Sequence, residues 1–215
     1  MSKDRSVMWF SVMGCLMSIL FLWAINQMTS PDTTWYVVPS LFLLFWPAVL
    51  IFAYRRQYAY FALFGSGLFI ALLITINWMY SPDSLWFPYA IYPFLWWPLS
   101  VFSGRWAGTV SFAWIGALTT IAYYAVLNAS LSPGYPWAIY PAYGVLLWPL
   151  ALHYSRKRDY FGLSVVISLL SIIFFVAANI VSSPDAVWAI YPIFGMLWWP
   201  LSMYYFYHQR RSKVE

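Results

Sequence analysis

Five residue series recur through this chain at a step of 51, and they constrain its fold more than any other feature. Pro31, Pro82, Pro133 and Pro184 form one, with Ser30, Ser81, Ser132 and Ser183 directly before them. Trp35, Trp86, Trp137 and Trp188 form a third. The pairs Trp46 and Pro47, Trp97 and Pro98, Trp148 and Pro149, and Trp199 and Pro200 form a fourth, and Asn26, Asn77, Asn128 and Asn179 a fifth. No insertion breaks the register. The sequence therefore reads as four copies of one unit within a single domain spanning 1–215, with units 1–55, 56–106, 107–157 and 158–215.

Each copy holds two apolar runs. The first runs are about Ser6–Met28, Tyr58–Met79, Gly108–Ala129 and Tyr160–Val181. The second are about Asp32–Tyr54, Asp83–Ser103, Gly134–Tyr154 and Asp185–Tyr207. Each approaches the roughly 20 residues that cross a bilayer core as a helix. Composition agrees: 63% of the chain is apolar, 23% aromatic and 8% charged, against roughly 25% charged in an ordinary soluble domain. A soluble fold lacks the polar side chains to disperse such a surface, and disorder requires the opposite bias. One cysteine excludes a disulfide framework.

Between the runs stands Ser-Pro-Asp, or Ser-Pro-Gly in the third copy. Serine as N-cap, proline in the first turn and aspartate beside it predict that the second helix starts there. Each unit is then a transmembrane hairpin, and the expected fold is an all-α integral membrane protein of eight spans. An even number of spans per unit makes the copies parallel, related by an axis along the membrane normal. The expected arrangement is a pseudo-fourfold bundle.

Charge predicts the orientation. Lys3, Arg5, Arg55, Arg56, Arg105, Arg156, Lys157, Arg158, Arg210, Arg211 and Lys213 all fall on one side of such a bundle, while Asp32, Asp83 and Asp185 fall on the other. The positive-inside rule puts both termini in the cytoplasm. The net charge of +5 thus reports topology and not a nucleic-acid partner. Anionic lipid headgroups are the natural contacts of these loops. A signal peptide or lipoprotein box around Val12–Cys15 is rejected, because Gly14 keeps register with Gly65 and Gly116.

The two helices of a unit differ in chemistry. The first carries small residues four apart: Ser11 and Cys15, Ala62 and Ser66, Ala113 and Ala117, Ser164 and Ser168. That spacing lets helices approach closely in lipid. In the second, Trp137, Tyr140, Gly144 and Trp148 share one helical face, as do Trp188, Tyr191, Gly195 and Trp199. The outer tryptophan suits an interfacial belt, whereas Trp46, Trp97, Trp148 and Trp199 lie about 16 Å deeper at 1.5 Å per residue. Such a face seats either a neighbouring helix or a hydrophobic or cationic ligand.

The prolines at 47, 98, 149 and 200 release the carbonyls of Leu43, Phe94, Val145 and Met196. In lipid those oxygens need partners: neighbouring protein groups, water, or ions on a central path. Asn26, Asn77, Asn128 and Asn179 lie near the outer helix ends, where they either ring an entrance or bond the adjoining backbone. No charged residue falls within a span, which removes the usual machinery of charge-coupled transport. His153 and His208 do not recur in every copy. We expect no metal, no cofactor and no enzymatic activity.

The second helices from Trp137 to Trp148 and from Trp188 to Trp199 resemble the bacterial two-transmembrane (2TM) hairpin domain. That family carries a similar aromatic-xxx-Pro-xx-Gly signature, met here at Trp137, Pro141 and Gly144, with a histidine near the helix end. His153 corresponds to that histidine at an offset spacing; the second copy departs from the pattern, with Ala90 in the proline place. The resemblance implies an inner-membrane hairpin and no particular activity. The expected function is non-enzymatic binding of lipid, a hydrophobic ligand or another membrane protein through the aromatic faces. The alternative is a channel or small-solute transporter along an aromatic, carbonyl-lined axis.

Overall fold

The computed structural model describes residues 2–211, and the side chains of residues 5–206. Lys213 lies outside the described residues, as do the side chains of Lys3, Arg210, Arg211 and His208. Among the described residues the chain is helical, without strands. It divides into two compact units, one ending at Gly104 and the other beginning at Arg105.

The first unit comprises α1 (Ser2–Thr29), α2 (Val37–Leu43), α3 (Phe45–Tyr54), α4 (Tyr58–Tyr80) and α5 (Phe87–Ser103). A short 3-10 turn (Gly104–Gly108) leads into the second, which comprises α6 (Val110–Leu131), α7 (Ile139–Lys157), α8 (Tyr160–Ser182) and α9 (Ile190–Arg211). In the first unit α1 packs on α2 and α3, which pack on α4, and α4 packs on α5. In the second, α6, α7, α8 and α9 pack serially, each on the next.

Among the described residues, five helical stretches are long and apolar enough to cross a membrane: Arg5–Thr29, Val37–Tyr54, Tyr58–Tyr80, Val110–Leu131 and Tyr160–Ser182. Their surfaces agree with that reading, since Trp78 is 80% exposed and Met28 82%. So much apolar surface facing outward is tolerated in lipid and not in water. Helices α5, α7 and α9 are not among these five and are rich in proline, tyrosine and tryptophan.

All eight residues of the small-residue pairs are buried, from Ser11 and Cys15 on α1 to Ser164 and Ser168 on α8. They form the close-packed stripe that the four-residue spacing predicts. Opposite them, Pro47, Pro98 and Pro149 are buried as well.

The expected starts of the second helices need correction. They do not begin at Asp32, Asp83, Gly134 and Asp185 but at Val37, Phe87, Ile139 and Ile190. Ser81, Ser132 and Ser183 instead terminate the preceding helices, their N–H groups bonding the carbonyls of Asn77, Asn128 and Asn179. The serine carbonyls at 30, 81 and 183 then accept the N–H three residues on, closing a turn. Serine followed by proline serves a β-turn as well as a helix start. What decides between them is an asparagine from the previous helix.

A second departure concerns the first copy, whose second helix is interrupted at Leu44 between α2 and α3. Pro47 cannot donate to Leu43, and the freed carbonyl has turned toward α1, where it accepts from Cys15.

Candidate functional site

The four asparagines are buried, Asn26 completely (0% exposed) and Asn179 least so at 8%. Each Nδ2 donates to two loop carbonyls, four and seven residues on. For Asn77 these are Ser81 at 2.8 Å and Ser84 at 2.7 Å. For Asn128 they are Ser132 and Tyr135, for Asn179 Ser183 and Ala186, and for Asn26 Ser30 and Thr33. The Oδ1 atoms of Asn77, Asn128 and Asn179 reach the following helix, accepting from Trp86 and Phe87, from Ala138 and from Ala189. These amides belong to helix starts that have no side-chain cap of their own at α5 and α7. The asparagine thus caps the next helix from the end of the preceding one. Its Oδ1 is without a partner only at Asn26, where the loop runs differently.

At the tryptophan–proline level the released carbonyls find donors across the hairpin. Leu43 O accepts from Cys15 Sγ at 3.4 Å, Phe94 O from Ser66 Oγ, and Met196 O from Ser168 Oγ at 3.2 Å. Each donor lies 28 residues before its acceptor, on the small-residue stripe. Ala117 stands at the corresponding place in the third copy and brings no hydroxyl to Val145. A hydroxyl is the smallest group that lets two helices touch and still meets an orphaned carbonyl in apolar surroundings.

The deep tryptophans pack against their own hairpins. Trp46, Trp97 and Trp148 each meet a phenylalanine of the first helix edge-on: Phe10 at 6.2 Å, Phe61 at 5.8 Å and Phe112 at 6.2 Å. A glycine makes room for two of them. A Cβ built on Gly65 would stand 2.6 Å from the Trp97 ring, and one on Gly14 2.9 Å from Trp46. In the fourth copy Leu163 replaces the phenylalanine; Trp199 is exposed, as Trp46 and Trp148 are.

The predicted aromatic faces of the later copies are open. Tyr140, Gly144 and Trp148 are exposed on α7, as are Tyr191, Gly195 and Trp199 on α9. A Cβ added at Gly144 or Gly195 meets nothing within 4 Å. Within unit two, Tyr140 shares a 2.6 Å hydrogen bond with the Tyr135 hydroxyl and packs edge-on against Phe174.

A recess lies beside Trp46. It is an open groove of about 770 Å³ between α1 and the broken α2–α3 helix, lined by Met17, Phe21, Leu22, Pro39, Phe42, Trp46 and two neighbours. Its volume falls in the range of small-molecule sites. Its polar side chain, the Ser18 hydroxyl, is already bonded to Gly14 O. Sequence reasoning pointed to Trp46 and missed the rest. The available signal was a break in the repeat, because Phe42 occupies the place held by Gly144 and Gly195 in the later copies.

No group of three metal-ligating side chains occurs among the described residues. No protein-family model matches the chain, and no curated protein or solved structure is detectably similar to it.

Proposed function

We propose that this protein is a multi-pass inner-membrane protein of four parallel 2TM-like hairpins that binds a hydrophobic ligand or lipid. Its second helices supply the aromatic surface, and the groove beside Trp46 is the principal site. One observation carries the reading: a ligand-sized recess, almost wholly apolar, opens outward from helices that suit a bilayer. An apolar guest entering it from lipid desolvates little polar surface. Selectivity then rests on shape, with the rings of Phe21, Phe42 and Trp46 as rigid contacts.

On this reading α5, α7 and α9 also cross the membrane, giving eight spans in pseudo-fourfold arrangement. Both termini lie with the basic loops in the cytoplasm. Enzymatic chemistry is not part of the proposal. A conduction path along the kinked helices is the competing reading. It is disfavoured by the kink carbonyls, three of which accept donors from the first helix of their own hairpin.

A long-chain fatty acid carrying a diazirine tests the proposal. Irradiated with the protein in nanodiscs, it should label the peptides containing Met17–Leu22 and Pro39–Trp46, and excess unlabelled fatty acid should suppress that labelling. Uniform labelling of all lipid-facing peptides that never saturates would overturn the reading. So would rapid solute flux from liposomes bearing the purified protein.

A further inference from the structure

We propose that Arg5 and Arg55 form a binding site for the phosphate of an anionic glycerophospholipid, distinct from the groove beside Trp46. The two arginines line one recess of about 260 Å³ together with Met8, Trp9, Val12 and Ile51. They come from different helices: Arg5 from the first turns of α1, Arg55 from the C-cap of α3. Their meeting follows from the packing of α3 against α1, and the left-handed Arg56, at φ 54°, ends α3 just beyond Arg55.

Two cations converging on a small recess need a reason, because they repel each other. Neither makes an ion pair with a described carboxylate. Both are exposed, so their guanidinium forks are accessible from outside the protein. A phosphate diester offers the complementary charge and the planar pairs of oxygens that such forks grip. The remaining lining suits what is attached to that phosphate. Met8, Val12 and Ile51 are apolar and continue α1 and α3 toward the membrane interior. They receive the glycerol and the first methylenes of the chains. Trp9 brings an indole, the side chain that bridges headgroup and hydrocarbon at a membrane surface. The recess is too small for a whole lipid and suits a headgroup with the start of its chains.

The net charge of the headgroup sets the preference. A phosphatidylcholine brings its own ammonium against two guanidiniums, whereas phosphatidylglycerol brings none. Taking about fivefold for each arginine that reaches the same phosphate, the two together favour an anionic lipid at this recess some twenty- to thirtyfold.

Electron spin resonance measures this directly. The full chain is reconstituted in phosphatidylcholine and probed with spin-labelled phosphatidylglycerol or spin-labelled phosphatidylcholine. Phosphatidylglycerol should be retained at the protein in preference. R5Q/R55Q should reduce that preference at least tenfold, and K157Q/R158Q, which removes two basic charges elsewhere, should change it less than twofold. V12W fills the recess while keeping both arginines and should reduce the preference as far as R5Q/R55Q does. Equal losses from the two charge pairs would mean general surface attraction and would overturn the site, as would an unaffected V12W. Inorganic phosphate at millimolar concentration should fail to displace the lipid; displacement would mean that an anion alone is recognised. The recess shares no residue with the groove beside Trp46, so failure of hydrophobic-ligand binding there leaves this outcome unaffected.

Discussion

Replacing the asparagines one at a time provides a graded test of how these hairpins are held. Asn77 makes four side-chain hydrogen bonds, two donated to the loop and two accepted from the start of α5. Asn128 and Asn179 make three each. Asn26 makes two, and its Oδ1 is already unsatisfied. At about 0.6 kcal/mol per bond in a membrane setting, Asn77→Ala should cost about 2.4 kcal/mol, Asn128→Ala and Asn179→Ala about 1.8, and Asn26→Ala about 1.2. These are lower bounds for the first three, since truncation also strands amide groups at a buried helix start. Asn77→Asp removes both donors and sets a carboxylate against two carbonyls, and it should cost more than Asn77→Ala. Reversible unfolding in mixed micelles, followed by far-UV circular dichroism, yields the order. Hydrogen exchange at Trp86 and Phe87 shows whether the loss is local to the α5 start. An Asn26→Ala loss equal to that of Asn77→Ala would refute remote capping. So would an Asn77→Ala loss below about 0.5 kcal/mol, the level of an inconsequential surface change.

Other substitutions probe the hairpin interface. Gly65→Ala drives a methyl group into the Trp97 ring and should destabilise by about 1–3 kcal/mol, whereas Gly144→Ala, with open space around it, should stay within about 0.5 kcal/mol; thermal unfolding in detergent separates them. Ser66→Ala removes the donor to Phe94 O and should cost about 0.6–1.7 kcal/mol in the same assay, while Ser66→Cys should recover part of it, as cysteine serves that role at position 15. Ala117→Ser supplies the third hairpin with the hydroxyl it lacks and should stabilise by about 0.5 kcal/mol; destabilisation would mean the Ala117 site has no room for it. Arg158→Gly relieves a left-handed helix cap at φ 55° and should raise the unfolding midpoint.

The features legible in the sequence were those set by short-range periodicity. The pairs from Ser11 and Cys15 to Ser164 and Ser168 mark the buried stripe because four residues return a helix to the same face. The need of the kink carbonyls for partners was equally legible, since it follows from proline chemistry alone. The second helix starts were misread because serine, proline and aspartate have the same local preferences in a turn as in a capped helix. The deciding interaction, from Asn77 to Trp86 and Phe87, spans about ten residues and depends on how the loop closes. The seating of Trp97 over Gly65 was hidden for a related reason. Each lies on a different helix, and nothing in either helix alone specifies their register. The groove beside Trp46 arises where the first copy departs from the other three, at Phe42 and the break after Leu43. A search for what repeats therefore passes over it.

The central claim is that an apolar guest, and not a permeating solute, occupies the recess beside Trp46. The most direct measurement is mass spectrometry of the hydrophobic molecules that co-purify with the wild-type chain and with a Leu22→Trp variant, whose indole fills the groove. The account predicts one apolar species enriched over the bulk membrane lipids in the wild type and lost from a variant that still folds. Identical bulk-lipid profiles from the two proteins would contradict it.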